Sequence, residues 1–250
     1  MGDIGLMEIL FWAVLAVAAG LSLTRVPGLS RSRNQAIFLC GLSLCLAFAI
    51  MLPPVYTAID GMFVRTNFTD LFAKLCLFLA VNILVAQIAK PIKAERALHL
   101  TAAIPGRLIL VLVYGLEMVL FALTTTDRPS PGLGAYMADP VVFAYNAVTV
   151  LYVAFLCSLV VSPLLQQVRR GGHLFQRWSS GLVLAGFSLA ILRAVVFLAG
   201  WAVPGLYEVG QSISAISALF VVAGLACAWL GLRKYSVPAI RQSHLRGESA

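Results

Sequence analysis

Seven long apolar runs, separated by short polar segments, constrain the fold of this chain more than any other feature of its sequence. The runs cover approximately residues 4–23, 35–55, 69–89, 106–125, 140–163, 179–201 and 211–232. About 20 apolar residues in a helix, at about 1.5 Å each, cross the hydrocarbon core of a bilayer. A lone strand in lipid would leave its backbone groups unpaired, whereas a helix pairs them internally. The sequence therefore predicts an all-α fold, a polytopic membrane helix bundle with seven transmembrane helices.

The composition agrees with this prediction and leaves little chain for a soluble domain. Hydrophobic residues make up 61% of the 250 residues and charged residues only 11%, which is unlike water-soluble domains. We predict one seven-helix transmembrane domain over residues 1–232 and a basic cytoplasmic tail over residues 233–250. The net charge of +8 is spread over several short segments, so it does not indicate a nucleic-acid partner.

The distribution of Lys and Arg between the loops predicts the orientation of the bundle. Basic residues in short loops favour the cytoplasmic side of a membrane. Loops one, three and five carry three, four and three basic residues, whereas loops two and four carry one each and loop six carries none. We therefore predict a multi-pass protein of the cell membrane with its N-terminus outside and its C-terminus in the cytoplasm.

Polar side chains within the apolar runs are the candidate functional residues, because a charge in hydrocarbon is costly unless it is paired, hydrated or used. The candidates for ligand binding are Glu117, Arg193, Asn146, Tyr145, Glu8, Lys74 and Asp70. In the predicted orientation most of them lie in the outer half of the bundle, with Glu117 near its midplane. This one-sided layer predicts an outward-facing polar pocket.

A structural role is the alternative for the same residues. Opposite charges on different helices would stabilise the bundle by pairing, for instance Glu8 with Lys74 and Glu117 with Arg193. Asp70 and Lys74 are four residues apart, a spacing that brings both side chains to one face of a helix. We expect the Asp70–Lys74 pair to be local.

Short motifs add little to these predictions. Gly181 with Ala185, and Gly224 with Ala228, have the four-residue spacing that favours close helix packing in membranes. The three histidines fall in segments predicted to be cytoplasmic, and the five cysteines show no metal-ligand spacing, so we predict neither a metal nor a cofactor. No phosphate-binding or nucleophile motif occurs.

The segment Leu52-Pro-Pro-Val-Tyr-Thr-Ala-Ile-Asp60, followed by Asn67 and by Asp70-Leu-Phe-Ala-Lys74, resembles a family of actinobacterial seven-helix integral membrane proteins described as transporters. The stretch from Ser180 to Arg193 is similar to that family too. The resemblance covers predicted helices two, three and six and includes no catalytic motif. It implies a seven-helix fold and a transport role.

These features predict a protein that binds or transports a small amphiphile or a lipid in the outward-facing pocket, with Glu117 and Arg193 as its principal charged groups. The predicted partners are membrane lipids, such a ligand and other membrane proteins. Two alternatives stay open. Glu117 could protonate a lipidic substrate in an intramembrane enzyme, although the residues favour a role without catalysis. The chain could instead be a structural subunit of a membrane complex, with its polar layer at a helix interface.

Overall fold

The chain folds into helices, as its sequence predicts. A computed structural model describes residues 6–24, 26, 32–62, 66–170, 174–203 and 205–247, and this part contains no strand. Its helices are α1 (Leu6–Leu23), α2 (Ser32–Ile50), α3 (Pro53–Asp60), α4 (Phe68–Ala89), α5 (Glu95–Thr101), α6 (Ile104–Leu123), α7 (Pro140–Arg170), α8 (Leu174–Gly200) and α9 (Leu206–Gly247). A short 3-10 segment, Pro131–Tyr136, lies between α6 and α7. The all-α prediction is confirmed.

Five helices in the described part are long and apolar enough to cross a membrane. They are α4, α6, α7, α8 and the Val209–Gly231 part of α9. The pair α2 and α3, bent by 89°, adds a sixth if it is counted as one span, and Trp12–Leu23 in α1 is a shorter apolar helix. The chain is therefore a multi-pass membrane protein, while the count of seven spans stays a prediction.

The second apolar run does not form the single helix that the sequence predicts. A helix through residue 55, closed by Pro53 and Pro54, is expected, but α2 ends at Ile50 and the chain bends before α3. Proline is suited to the first positions of a helix, where its missing N–H is not needed. Pro53 and Pro54 occupy those positions in α3. The two prolines therefore begin a helix instead of closing one.

Several helices extend beyond their apolar runs. The sequence predicts the fifth, sixth and seventh spans over residues 140–163, 179–201 and 211–232, whereas α7 runs to Arg170, α8 begins at Leu174 and α9 continues to Gly247. The side chains of residues 232–247 lie outside the described part. Hydropathy marks where the lipid contact of a helix ends, and in α7 and α8 good helix formers such as Gln167, Arg169 and Gln176 continue the helix beyond that point.

Six of the helices form a closed ring. In order around it, α1 packs on α2, α2 on α4, α4 on α7, α7 on α8, α8 on α9, and α9 on α1. Helix α6 packs on the outside of this ring against α7, α4 and the short α5. Its outer face carries exposed Leu108, Leu112 and Val119, which suits contact with lipid. The opposite face of α6 carries the fully buried Glu117.

Small residues bring α8 and α9 close together. A Cβ atom added at Gly224 would lie 3.0 Å from the carbonyl oxygen of Ser179, and one at Gly186 would lie 2.8 Å from that of Ser217. The Ser179 and Ser217 hydroxyls each donate a 2.8 Å hydrogen bond to the carbonyl of the facing glycine. The close approach predicted at Gly224 is confirmed. Gly181 does not take part, since a Cβ there would meet nothing within 4 Å.

Candidate functional site

A buried group of charged side chains joins α4 to α6 and α7. The ammonium of Lys74 lies 3.2 Å from a carboxyl oxygen of Asp70 and 3.7 Å from one of Glu117. It also donates a 2.9 Å hydrogen bond to the side-chain oxygen of Asn146. Asp70 and Glu117 are fully buried, and Lys74 is 6% exposed. One ammonium group therefore serves two carboxyl groups in a space closed to solvent.

Two further residues of α7 complete this group. The Tyr145 hydroxyl donates a 2.9 Å hydrogen bond to Asp70 Oδ2, and its ring centroid lies 3.3 Å from the Lys74 ammonium, a cation–π contact. Thr149 donates a 2.7 Å hydrogen bond to Glu117 Oε1. The other oxygen of Glu117, Oε2, is buried and has no hydrogen-bond partner among the described residues. We call this group the charged network: Asp70, Lys74, Glu117, Tyr145, Asn146 and Thr149.

The charged network pairs Glu117 differently from the pairing suggested by the sequence. The local Asp70–Lys74 pair is confirmed, but Glu117 pairs with Lys74 rather than with Arg193. Arg193 Nε instead donates a 2.6 Å hydrogen bond to the Ser214 hydroxyl on α9. Equal depth in the membrane does not fix the direction in which a side chain points around its helix. The pairing of Glu8 stays a prediction, because its side chain lies outside the described residues.

The end of the charged network that faces the predicted outer side is covered by two segments that are tied together at Asn67. The side-chain oxygen of Asn67 accepts hydrogen bonds from the Tyr56 hydroxyl at 2.8 Å and from the Ser130 amide at 2.6 Å. Its side-chain amide donates a 3.0 Å hydrogen bond to the Arg128 carbonyl. The backbone N–H of Asn67 donates to Asp60 at 2.8 Å. We call α3, Asn67 and residues 128–136 the outer cap.

The outer cap also contacts the charged network directly. The amide of Gly132 donates a 3.0 Å hydrogen bond to Asp70 Oδ1. Gly132 has a φ of 65°, a conformation that glycine adopts without strain. Asn67 is fully buried, and its side chain makes three hydrogen bonds. The cap closes the network toward the predicted outer side.

A cavity of about 740 Å³ lies at the other end of the helix ring. All six ring helices contribute to its wall, which is mainly aliphatic. The polar members of the wall are uncharged: Gln87, Gln167, Gln176, Ser22, Ser179 and Ser180. The volume falls within the range of roughly 300–1,000 Å³ that is typical of small-ligand pockets. This cavity, which we call the inner cavity because it lies toward the predicted cytoplasmic side, offers space that the charged network does not.

The charged network and the inner cavity are separate features of one bundle. Helix α4 advances about 15 Å, at about 1.5 Å per residue, from Lys74 to Leu84, the first residue of α4 in the cavity wall. The buried side chains of Phe78, Tyr152 and Leu156 belong to the apolar core between them. None of the six predicted site residues with described side chains lines the inner cavity. Their role in ligand binding stays a prediction.

The sequence offers a weak signal for the inner cavity. Gln87, Gln167 and Gln176 lie near the inner ends of three apolar runs, where an amide is easily interpreted as a loop residue or as a partner in a hydrogen bond between helices.

Among the described residues, no three His, Cys, Asp or Glu side chains are grouped so that they could hold a metal ion. The cavity wall thus offers hydrogen bonds and apolar contact.

Comparison with known proteins gives no match for this chain: no family model, no curated protein and no solved structure is similar to it. The resemblance to actinobacterial membrane proteins therefore stays a prediction. Of the residues that carry it, Tyr56, Asp60 and Asn67 belong to the outer cap, and Asp70 and Lys74 to the charged network.

Proposed function

We propose that this chain is an integral membrane protein that binds or transports a lipid or another small amphiphile, and that the ligand lies in the inner cavity. The observation that carries this proposal is the inner cavity itself, because all six ring helices line it and it is large enough for a small ligand. The proposed ligand lies at the opposite end of the bundle from the outward-facing pocket expected from the sequence. An outer site would need the outer cap to open.

The wall of the inner cavity suits an amphiphile better than an ion. Within the described residues no charged side chain lines it, and aliphatic side chains such as Leu44, Leu84 and Leu225 contribute most of its surface. An acyl chain or a ring system would bury apolar surface there at about 25 cal/mol per Å². Amides such as Gln87 and Gln167 would hydrogen-bond to an ester, hydroxyl or phosphate oxygen of the head group.

Native mass spectrometry tests this proposal with two matched variants on α9. Ala228 lines the inner cavity, and Leu230, two residues later, is 51% exposed on the outer surface. Ala228→Trp places an indole ring inside the cavity and narrows it, whereas Leu230→Trp adds the same ring outside it. We expect a co-purifying lipid or metabolite on the wild type and on Leu230→Trp, and its loss from Ala228→Trp. Equal occupancy in all three would contradict the proposal.

The same spectra separate the alternative in which the chain is a structural subunit. A subunit of a complex would retain partner chains in the spectra, and its partners would not respond to a ring inserted in the inner cavity. An enzyme that acts through Glu117 has one supporting observation, the buried Oε2 without a described partner. It would need a substrate space at the charged network, about 15 Å from the inner cavity along α4.

We also propose seven spans, with the N-terminus outside, the C-terminus in the cytoplasm and the protein in the cell membrane. The excess of Lys and Arg in loops one, three and five supports this orientation, in which the inner cavity is nearer the cytoplasmic face. Lys90 and Arg128 are both exposed. In intact cells an impermeant thiol reagent should label Arg128→Cys beyond the wild-type background and leave Lys90→Cys at background. The reverse pattern would contradict the orientation.

A further inference from the structure

The charged network contains two carboxyl groups and one ammonium group. Lys74 is the cation that both Asp70 and Glu117 face. Tyr145 also faces Glu117 from α7, but its hydroxyl donates to Asp70 and therefore keeps its proton. Tyr114, three residues before Glu117 on α6, likewise donates its hydroxyl to the Leu75 carbonyl. With both carboxyl groups ionised, these groups would carry one uncompensated negative charge in a dry space, which is strongly unfavourable.

The hydrogen bonds indicate which carboxyl group is ionised. Asp70 is bound as a carboxylate at both oxygens, because Oδ1 accepts from the Gly132 amide and Oδ2 accepts from Tyr145 and lies 3.2 Å from Lys74. Charged acceptors are stabilised by several such donors. Asp70 is therefore the partner that keeps the negative charge.

Glu117 is bound in a different way. Its Oε1 accepts one hydrogen bond from Thr149. The distance from Oε1 to the Lys74 ammonium is 3.7 Å, longer than the 3.2 Å from Asp70 Oδ2 to the same ammonium. Its Oε2 has no partner among the described residues although the residue is fully buried. A carboxylate needs hydrogen-bond donors at both oxygens, and burying one oxygen of an ionised group without a donor costs more than burying the neutral carboxylic acid.

We propose that Glu117 is a proton-binding site, in which Oε2 holds a proton while Asp70 and Lys74 are ionised. Binding forms the O–H bond at Oε2 and changes no other covalent bond. Release of this proton leaves Glu117 as a carboxylate, which interacts more strongly with the Lys74 ammonium. The ligand of this site is H⁺, and the site does not depend on what the inner cavity holds.

Infrared difference spectroscopy of the purified protein at neutral pH tests the proposal. A protonated carboxylic acid has a carbonyl stretch that is separate from carboxylate and amide bands and that shifts in D₂O. Glu117→Gln is close to isosteric and neutral, so it should fold and lose this band completely. An unchanged carboxylic acid band in Glu117→Gln would overturn the proposal.

The charge count gives a second and independent outcome. In Asp70→Asn only one carboxyl group, that of Glu117, remains beside the Lys74 ammonium, so Glu117 should ionise. The carboxylic acid band should then disappear although Glu117 is still present. Asp127→Asn, which removes a fully exposed carboxyl group, should leave the band unchanged. Persistence of the band in Asp70→Asn would overturn the account in which the two carboxyl groups share one cation.

Discussion

The two ends of the helix ring use polar residues in opposite ways. At the outer end, Asp70, Lys74 and Glu117 are packed against one another and sealed by the outer cap. At the inner end, glutamine and serine side chains line open space. In this bundle the charged side chains of the network therefore lie in the closed part. The uncharged polar side chains lie in the part with room for a ligand.

The physical reason lies in the cost of burial. An ionised side chain in hydrocarbon must find an opposite charge or several hydrogen bonds, so helices close around it. A buried amide or hydroxyl costs much less and can be satisfied by a water molecule or by a ligand. Gln87 and Gln167 can therefore face the inner cavity, whereas Lys74 cannot face an empty one.

Removal of the shared cation should have the largest effect. Lys74→Ala leaves Asp70 buried with no cation, and breaking a buried pair from one side costs roughly 3–5 kcal/mol in soluble proteins. Chemical unfolding in detergent, followed by circular dichroism, measures the loss. Lys90→Ala removes an exposed lysine that follows the opposite end of α4 and should change little. A Lys74→Ala effect no larger than that of Lys90→Ala would mean that charge pairing does not hold the outer end together.

Removal of the amide that ties the outer cap should come next. Asn67→Ala leaves the buried Ser130 amide without its described partner, at roughly 1–3 kcal/mol. Asn67 also has a φ of 65°, which asparagine tolerates better than alanine. Hydrogen exchange of residues 128–136 should accelerate in the same variant. Asn67→Gly keeps the backbone relaxed, and protection equal to wild type in Asn67→Gly would show that the side-chain hydrogen bonds are dispensable.

In the inner half of the bundle, substitutions that disturb helix packing should lower the thermal stability, since no charge pair among the described residues holds this part together. Gly224→Ala puts a Cβ atom 3.0 Å from the Ser179 carbonyl oxygen, and such overpacking costs roughly 1–3 kcal/mol. Gly181→Ala is the matched control on the facing helix, because its Cβ enters open space. Alanine is the better helix former, so Gly181→Ala should be neutral or slightly stabilising. Equal thermal stability of the two variants would contradict close α8–α9 packing.

An exposed pair in the outer loop should have the smallest effect. The Tyr136 hydroxyl donates a hydrogen bond to the Asp127 carboxylate, which lowers the pKa of Asp127, with help from its own backbone N–H and from Arg128. A lowered pKa in the folded state gives stability that is present above the unfolded pKa and is lost as pH falls through the folded value. The acid-induced fall in Tm should therefore be slightly shallower in Tyr136→Phe. Superimposable Tm profiles for wild type and Tyr136→Phe would remove this contribution.

The sequence predicts the helical class and the multi-pass character because hydropathy acts over a whole run of residues. It predicts the Asp70–Lys74 pair because a four-residue spacing fixes the geometry within one helix. It does not predict that Glu117 pairs with Lys74, because the rotation of α6 relative to α4 depends on packing by residues such as Phe78 and Tyr114. The bend before Pro53 is missed for a similar reason, since the apolar run continues across it. The inner cavity is missed because space between six helices depends on how they pack together, and the glutamines near the inner ends of three apolar runs are only a weak signal of it.

We expect a ligand to occupy the inner cavity and to make no contact with the charged network. Photocrosslinking with a phosphatidylcholine carrying a photoreactive acyl chain, in vesicles that contain the protein, tests it when the adducts are mapped by peptide mass spectrometry. Lipid outside the ring provides a reference at exposed residues such as Leu112 and Val195.

We expect adducts at Leu44, Val183 and Leu225 of the cavity wall, which disappear in Ala228→Trp and persist in Leu230→Trp while the reference adducts stay constant. Cavity adducts that are absent from the wild type, or that survive in Ala228→Trp, would contradict it.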